Sequence, residues 1–457
     1  MKFSENFMWG AASAAYQVEG AYLDDGRKLS VWDAYTQEPG KIEHGENGNV
    51  SCDHYHRFRE DVKLMREMGI KNYRFSISWS RVIPDGTGKI NEAGLKFYSD
   101  LVDELVANGI EPLVTLFHWD YPYALHKRGG WLNHESSDWF ADYAKVIIDA
   151  LSDRVKYWMT LNEPQVFVGN GYKYGNFATF EQHNNKDLAQ ICHNVLLAHG
   201  KAVKIIRENA KLTPVIGFAM VTPAFIPEDN SEAAIADAKK ATFAFDSSDM
   251  TYCASWWADP IFFGKYPEQA YKQLGEDMPE IMDGDMEIIS QPVDFYGLNS
   301  YESKASFNPY GYAENAYIGC PRTQMGWPVT PEVLYWSPIF LSERYKKPIL
   351  ITENGMACHD WVELDGHIHD SQRIDYVKRY LRELHRAAQD GAEIMGYTYW
   401  SIMDNFEWAS GYDKRFGLIH VDYTTQKRTV KDSGYWYKKV VETNGEIVFD
   451  NKTEIEY

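Results

Sequence analysis

The chain has 457 residues, a formal net charge of -20 at pH 7 and an aromatic content of 15%, with 15 Trp and 31 Tyr. This length fits two or three average domains, or one (β/α)₈ barrel with insertions. The negative charge argues against nucleic acid and anionic membranes as partners, because no basic footprint is available. The many aromatic side chains suit a protein that stacks on the flat apolar face of a sugar.

Five cysteines at irregular spacing, with no CxxC pair, indicate neither a disulfide framework nor a zinc knuckle. They are Cys52, Cys192, Cys253, Cys320 and Cys358. Reduced thiols are the simplest interpretation, so we predict a cytoplasmic protein. No apolar run approaches the ~20 residues of a membrane-spanning helix. The small-residue stretch 10–15 is too short for a secretory signal and is preceded by Glu5.

Apolar and alternating runs predict strands and helices that alternate along the whole chain. A first strand lies within 7–21, and the others are predicted at 72–79, 111–118, 156–163, 215–221, 293–301, 348–353 and 393–400. Helices are predicted at 53–68, 91–107, 136–152, 187–208 and 331–345. A further helix is predicted to begin at Asp370, which would cap it, and to run to 388. Residues 233–264 are predicted to contain helical and irregular segments. Eight strands separated mostly by helices predict a parallel α/β sheet closed into one (β/α)₈ barrel. No linker divides residues 1–457.

Two of the predicted strands end in a glutamate. The run 349–352, apolar or β-branched at each position, leads directly into Glu353, and the strand at 156–163 ends at Glu163, 190 positions earlier. A carboxylate at the end of a buried strand is costly to desolvate unless something uses it. Either glutamate alone often only bonds an arginine or a loop amide. The pair, each with an Asn beside it, favours two-carboxylate chemistry at the mouth of a barrel.

Other polar and aromatic residues also fall at the predicted carboxyl ends of strands or just after them. In a barrel of parallel strands, all of these ends face one mouth. The set comprises Gln17, Arg74, His118, Trp119, Asn162, Glu163, Asn299, Tyr301, Glu353, Trp400, Glu407 and Trp408.

Four segments of the chain, taken in order, resemble the motifs of glycoside hydrolase family 1, the β-glucosidase and β-galactosidase family. Residues 7–21 resemble its N-terminal signature, and 160–164 its acid/base motif. Residues 351–355 resemble its nucleophile motif, and 399–408 its sugar-binding segment. The resemblance spans the whole chain and implies a retaining, exo-acting β-glycosidase. The expected activity is that of a β-glucosidase on cellobiose or aryl glucosides, with β-galactosidase and β-fucosidase activity beside it.

The resemblance also implies roles for individual residues. Glu353 would be the nucleophile and Glu163 the general acid/base, with Arg74 and Tyr301 contacting the nucleophile. Asn162 would bond the 2-hydroxyl of the sugar. The remaining implied sugar-site residues are Gln17, His118, Trp119, Glu407 and Trp408 around the glycone, Trp400 as its stacking floor, Trp327 on the aglycone side and Asn299 in support. A chemical argument supports two roles for the glutamates, because retention needs one ionised and one protonated carboxyl.

Three alternatives remain beside this prediction. A 6-phospho-β-glycosidase would bind a phosphate near Glu407, Lys414 and Phe416, but Glu407 would repel the dianion and Phe416 lacks a hydroxyl. A glycoside-binding barrel without catalysis would be expected to lack one of the two glutamates. A metal-dependent isomerase would need a ligand cluster at the mouth; His54/His56 and His367/His369 lack further ligands nearby in sequence. We therefore expect no metal and no cofactor.

Residues 165–180, after the acid/base motif, depart from the family pattern, since the usual His-Ala-Pro-Gly ending is absent. This segment borders the aglycone side, so the sequence leaves the preferred leaving group open. It also leaves open the preference among glucosides, galactosides and fucosides, and whether the protein forms a homo-oligomer.

Overall fold

A computed structural model describes residues 1–305, 319, 321–453, 455 and 457. Cys320 therefore lies outside the described residues. Eight parallel strands form a closed barrel in which each strand pairs with its neighbours in sequence and the first pairs with the last. They are β1 (Met8–Ala12), β2 (Asn72–Ser76), β3 (Glu111–Phe117), β4 (Tyr157–Asn162), β5 (Val215–Val221), β6 (Tyr296–Asn299), β7 (Ile349–Asn354) and β8 (Ile394–Trp400). All eight predicted strands are confirmed.

A helix follows every strand, which completes the predicted (β/α)₈ architecture. The helices are α1 (His54–Glu67), α2 (Glu92–Ala107), α3 (Ser136–Leu151), α4 (Asn185–Asn209), α5 (Ala254–Phe263), α6 (Val333–Tyr345), α7 (Ser371–Gln389) and α8 (Asp432–Glu442). Additional helices lie in the connections, at Ala15–Val18, Val31–Thr36, Trp79–Val82, Tyr123–His126, Pro164–Val168, Glu232–Thr242, Glu268–Leu274 and Asp285–Ile289. Two small sheets pair Phe225–Ile226 with Lys304–Ala305 and Ile419–Val421 with Arg428–Val430.

One detail of the predicted helices is wrong. Asp370 precedes α7 but its side chain makes no cap hydrogen bond. Its carboxylate instead pairs with Arg373 and accepts hydrogen bonds from Ser433. The buried Arg373 and the amino end of α8 therefore take the acceptor that a helix cap would have used.

The barrel interior is filled by side chains, as the apolar strand sequences require. A separate buried cluster joins Leu113 of β3, Met159 of β4, Leu350 of β7 and Phe295 just before β6. Above this layer, toward the carboxyl ends of the strands, Arg74 and Thr115 begin the polar groups of the mouth. Among the described residues, no helix is both long and apolar enough to cross a membrane.

Candidate active site

The two strand-end glutamates lie where the sequence predicts, and both are buried. Glu353 is the penultimate residue of β7, and Glu163 follows β4 directly. Glu353 is 4% exposed and Glu163 is 6% exposed. Glu163 has a left-handed backbone conformation, with φ 45°, as do the cavity residues Trp119 and Trp408, with φ 78° and 49°. Such conformations cost free energy and concentrate at functional sites.

The Glu353 carboxylate contacts two donors. Arg74 Nη1 lies 2.5 Å from Oε1, and the Tyr301 hydroxyl donates to Oε2 at 2.7 Å. Arg74 is itself 1% exposed and fixed by three further acceptors: Asn162 Oδ1 at 2.6 Å, and the Thr352 carbonyl and Thr115 Oγ1 at 3.1 Å each. A cation and a phenol donor on the same carboxylate both stabilise its ionised form.

Glu163 lies in the opposite electrostatic setting. Its side-chain donor is a neutral amide, Asn299 Nδ2, at 2.7 Å from Oε1. Thr352 Oγ1 donates to Asn299 Oδ1 at 2.6 Å, and so fixes which end of that amide faces Glu163. Burial, and then the negative charge of Glu353, raise the pKa of the Glu163 carboxyl well above its usual range. Burial and the nearby carboxylate therefore both favour the protonated form of Glu163.

Asn162 links both glutamates to His118. Its Oδ1 accepts from Arg74 at 2.6 Å and from Asn299 at 3.0 Å, so its Nδ2 must be the atom that meets His118 Nε2 at 3.0 Å. His118 Nε2 then accepts, which leaves a neutral ring with its hydrogen on Nδ1. Burial, and then Arg74, lower the pKa of His118 well below its usual value, in agreement with the neutral ring.

Glu407 and two tryptophans lie on the β8 side of the mouth. Gln17 Nε2 contacts the Phe406 carbonyl at 2.8 Å and Glu407 Oε2 at 3.4 Å. Burial, and then Glu353, raise the pKa of Glu407 to about 8. The rings of Trp400 and Trp408 each stack on His118 with centroids 5.8 Å apart. Aromatic faces and a carboxyl group thus meet at one end of the site.

These groups surround a cavity of about 440 Å³. The predicted residues that line it are His118, Trp119, Glu163, Tyr301, Trp327, Glu353, Trp400, Glu407 and Trp408. The volume and the mixture of ring faces with a few polar groups are those of a pocket for a small organic ligand.

Four predicted site residues do not line the cavity. Gln17, Arg74, Asn162 and Asn299 lie behind its wall, and all are at most 1% exposed. The expected contact of Asn162 with a sugar hydroxyl therefore competes with the hydrogen bond that its Nδ2 already gives to His118. Arg74 and Asn299 act on the cavity through the two glutamates that they contact.

The structure also adds lining residues that sequence reasoning missed. They are Val166, Asn170, Tyr174, Phe177, Val221, Pro223, Asp249, Tyr252, Ser300, Glu302, Met325 and Phe416, the last considered before only as a phosphate contact. The departure of 165–180 from the family pattern pointed to some of them. Asp249 and Tyr252 had no signal, because they reach the site only through packing against a segment about 80 positions earlier. Lys414 is not among the described lining residues.

Three of the four histidines in the two predicted pairs contact carboxylates. His54 Nδ1 lies 2.7 Å from Asp61, His56 Nδ1 2.6 Å from Asp53, and His369 Nδ1 2.7 Å from Asp432. Among the described residues, the group with metal-ligand spacing is Glu43, His44 and Asp413; all three are exposed and none lines the cavity.

Fold and site together define a class: a (β/α)₈ barrel with a buried glutamate pair at the carboxyl end of its strands, as in two-carboxylate glycoside hydrolases. The chain belongs to glycosyl hydrolase family 1, whose family model matches residues 1–446. It is 43% identical over 451 residues to beta-glucosidase A of Thermotoga maritima, covering 97% of this chain and 98% of that protein. It is 44% identical over 456 residues to beta-glucosidase A of Acetivibrio thermocellus, covering 97% and 99%.

Two further comparisons bear on the ligand. A solved structure of the beta-glucosidase from Thermotoga maritima in complex with deoxynojirimycin matches with a TM-score of 0.90 and 43% identity, covering 97% of this chain and 99% of that chain. A 6-phospho-beta-galactosidase of Clostridium acetobutylicum is 37% identical over 471 residues, covering 96% of each protein. The family and the barrel fold predicted from the sequence are thus confirmed, and the similar proteins include both beta-glucosidases and a 6-phospho-beta-galactosidase.

Proposed function

We propose that this protein is a retaining, exo-acting β-glucosidase that releases terminal non-reducing β-D-glucosyl residues. The observation that carries the proposal is the unequal setting of the two glutamates. Glu353 bonds a guanidinium and a phenol, whereas Glu163 bonds a neutral amide and has a raised pKa. One carboxyl is thus prepared as a nucleophile and the other as an acid.

In the first step the Glu353 carboxylate attacks the anomeric carbon of the bound glucoside. The bond from that carbon to the glycosidic oxygen breaks, and the proton of Glu163 passes to the departing oxygen, so that the aglycone leaves as an alcohol. Arg74 and Tyr301 orient the attacking oxygens through the bonds described above. The product of this step is a glycosyl ester of Glu353 with Glu163 ionised.

In the second step water attacks the same carbon and the ester bond to Glu353 breaks. Glu163, now ionised, takes a proton from that water, which restores both carboxyl groups to their starting states. The charge of Glu353 is absent while it is esterified and returns when glucose forms. That charge helps to raise the pKa of Glu163. The pKa is therefore higher in the free enzyme, where Glu163 must be protonated, than in the glycosyl ester, where it must be ionised.

The part of the cavity lined by Trp400, Glu407 and Trp408 supports recognition of a terminal sugar. Trp400, Trp408 and His118 offer ring faces there, and Glu407 offers a carboxyl group. Within the described part of the chain, one buried polar atom of a residue that lines this end, His118 Nδ1, has no hydrogen-bond partner. Buried polar atoms require partners, and sugar hydroxyls would supply them.

The similarity to a 6-phospho-beta-galactosidase keeps a phosphorylated glycone as the second candidate. The cavity disfavours it, since Glu407 and Phe416 line the wall and no Lys or Arg is among its described lining residues. A phosphate dianion would lose hydration there without gaining a cation. We therefore propose an unphosphorylated glycone, with β-galactosides and β-fucosides as secondary substrates.

The test is a parallel assay of 4-nitrophenyl β-glucoside, β-galactoside, β-fucoside and β-glucoside-6-phosphate, with Glu353→Gly as control. We expect turnover of the unphosphorylated substrates, lost in the control and unchanged by a chelator. Proton NMR of the early reaction should show the β-anomer of glucose first, as retention requires. Initial release of the α-anomer would refute the two-step mechanism, and turnover of the phosphorylated substrate alone would refute the proposed glycone. Binding without turnover would favour a glycoside-binding barrel.

The same proposal places the enzyme in a cytoplasm. Its support is that Cys52, Cys192 and Cys358 are buried and are not joined in a disulfide. If the protein matures in a reducing compartment, a thiol reagent added to the unfolded, unreduced chain should count all five cysteines of the sequence. A count of three would reveal a disulfide and contradict this placement.

A further inference from the structure

The phenol of Tyr301 reaches Glu353 from the segment that follows β6. Its hydroxyl donates to Glu353 Oε2 at 2.7 Å. Burial, and then the charge of Glu353, raise the pKa of this phenol well above its usual value, so Tyr301 keeps the hydrogen that it donates. The direction of that hydrogen bond depends on what holds the backbone of Tyr301, because the hydroxyl lies at the far end of a rigid ring.

Two tyrosines of α7 hold this backbone at one atom. The hydroxyls of Tyr376 and Tyr380 donate to the carbonyl oxygen of Tyr301 at 3.0 Å and 2.8 Å, which uses both lone pairs of that oxygen. The two residues are one helical turn apart, and their rings stack with centroids 3.9 Å apart. They are 2% and 0% exposed, so bulk water does not compete with either hydroxyl.

The Tyr380 hydroxyl can donate in one direction only. The backbone amide of Thr330 donates to the Tyr380 oxygen at 2.9 Å, and an amide nitrogen does not accept. The single hydrogen of Tyr380 is therefore left for the Tyr301 carbonyl. Burial raises the pKa of Tyr380, so this hydrogen stays on the phenol.

The Tyr376 hydroxyl is oriented by the asparagine that follows Glu353 in the sequence. Asn354 Nδ2 lies 2.7 Å from the Ser300 carbonyl and 3.2 Å from the Tyr376 oxygen. Because a carbonyl oxygen only accepts, the end of the Asn354 side chain at this place is its NH₂ group. Tyr376 thus accepts from Asn354 and gives its own hydrogen to the Tyr301 carbonyl.

We propose that Tyr376 and Tyr380 are positioning residues, which hold the Tyr301 carbonyl so that the Tyr301 hydroxyl points at Glu353. Neither lines the cavity, so they act through Tyr301. Reacting groups must be held within about 0.5 Å of their productive geometry, and a misplacement of about 1 Å can cost about 10²-fold in rate. The effect on rate rests on the proposed function, whereas the placement of Tyr301 can be measured without catalysis.

Rate measurements on a set of Tyr→Phe variants test this role. Tyr376→Phe/Tyr380→Phe removes both α7 hydroxyls and should lower kcat/KM for 4-nitrophenyl β-glucoside about tenfold. Either single substitution should lower it less, because one donor to the carbonyl remains. Tyr301→Phe removes the hydroxyl that the α7 tyrosines position. In that background the same pair of substitutions should change kcat/KM by less than about twofold, whereas independent structural effects would multiply.

Tyr437→Phe is the matched control. Tyr437 is 1% exposed, and its hydroxyl also donates to a backbone carbonyl of the barrel, that of Gly10, at 2.8 Å. It does not line the cavity, so kcat/KM should stay within about twofold of the wild-type value. Far-UV circular dichroism checks that each variant folds. If the double variant does not fold, Tyr380→Phe in the wild-type and Tyr301→Phe backgrounds gives the same comparison with a smaller loss.

Crystal structures of the wild type and the double variant measure the placement of Tyr301 directly. We expect its hydroxyl to lie 2.7 Å from Glu353 Oε2 in the wild type and more than about 3.2 Å away in the variant. An unchanged distance would overturn the proposal, as would an equal loss of kcat/KM with and without the Tyr301 hydroxyl, or an equal loss in Tyr437→Phe. If Tyr301 moves in the variant while the wild type hydrolyses no β-glucoside, the positioning stands and the proposed hydrolysis fails.

Discussion

Replacing Arg74 with Met would leave the Glu353 carboxylate buried without its cation. The guanidinium is 1% exposed, lies 2.5 Å from Glu353 Oε1 and donates to three further acceptors. Removing one partner of a buried ion pair costs about 3–5 kcal/mol, because the other charge stays desolvated. We therefore expect Arg74→Met to lower the free energy of unfolding at pH 7 by about this amount.

A double-mutant cycle separates charge pairing from loss of packing. Glu353→Gln alone leaves the Arg74 cation unpaired and should also destabilise. The double variant removes both charges, so its loss should be smaller than the sum of the single losses by about 2–3 kcal/mol. Urea unfolding followed by tryptophan fluorescence measures all four proteins. Additive losses within about 0.5 kcal/mol would refute the pairing of the two side chains, and no loss in Arg74→Met would refute the role of its network.

Three further predictions follow from the site. Glu163→Gln should lower kcat/KM for 4-methylphenyl β-glucoside by about 10²–10⁴-fold. The loss for 2,4-dinitrophenyl β-glucoside should be far smaller, because the dinitrophenolate leaves without a proton. Equal losses in the two rate assays would contradict the acid role. Since burial and then Glu353 raise the pKa of Glu407 from 4.5 to about 8, the folded protein holds this proton more tightly, and stability should fall as pH rises from about 4.5 to 8. Glu407→Gln should flatten that decline in urea titrations at pH 5 and 8; an unchanged slope would contradict the raised pKa. Gly355→Ala would place a Cβ 1.8 Å from the Trp400 carbonyl, so we expect a loss of about 1–3 kcal/mol in unfolding free energy, and wild-type stability would show that the β7–β8 approach is looser.

The barrel could be predicted because its determinants are local. Runs such as 349–352 are apolar or β-branched at every position and lead into a polar residue, a pattern typical of a buried parallel strand. The structure moves most strand ends by only one to three residues. Asp370 shows the limit: its suitability as a cap is local, but the buried Arg373 and the amino end of α8 compete for the same carboxylate.

The site was predictable at strand ends and less so between loops. Glu163 and Glu353 have fixed places in motifs, and the structure positions both at the cavity. The sequence could not show that Gln17 and Asn162 lie behind the wall, because that depends on which hydrogen bonds they make. Nor could it place Asp249 against Lys173, since that contact arises where two irregular turns pack together.

Closure of the barrel has a consequence for how the protein is made. β1 pairs with β8 from Met8 with Gly396 to Ala12 with Trp400, although about 380 residues separate the two strands. At synthesis rates of roughly 5–20 residues per second, β1 emerges about 20–80 s before its last partner exists. Its small-residue edge must be covered by β2 alone or by a chaperone for that time. Because Gln17 follows β1 while Trp400 ends β8 and Glu407 follows it, this end of the cavity can form only after more than 400 residues have been synthesised.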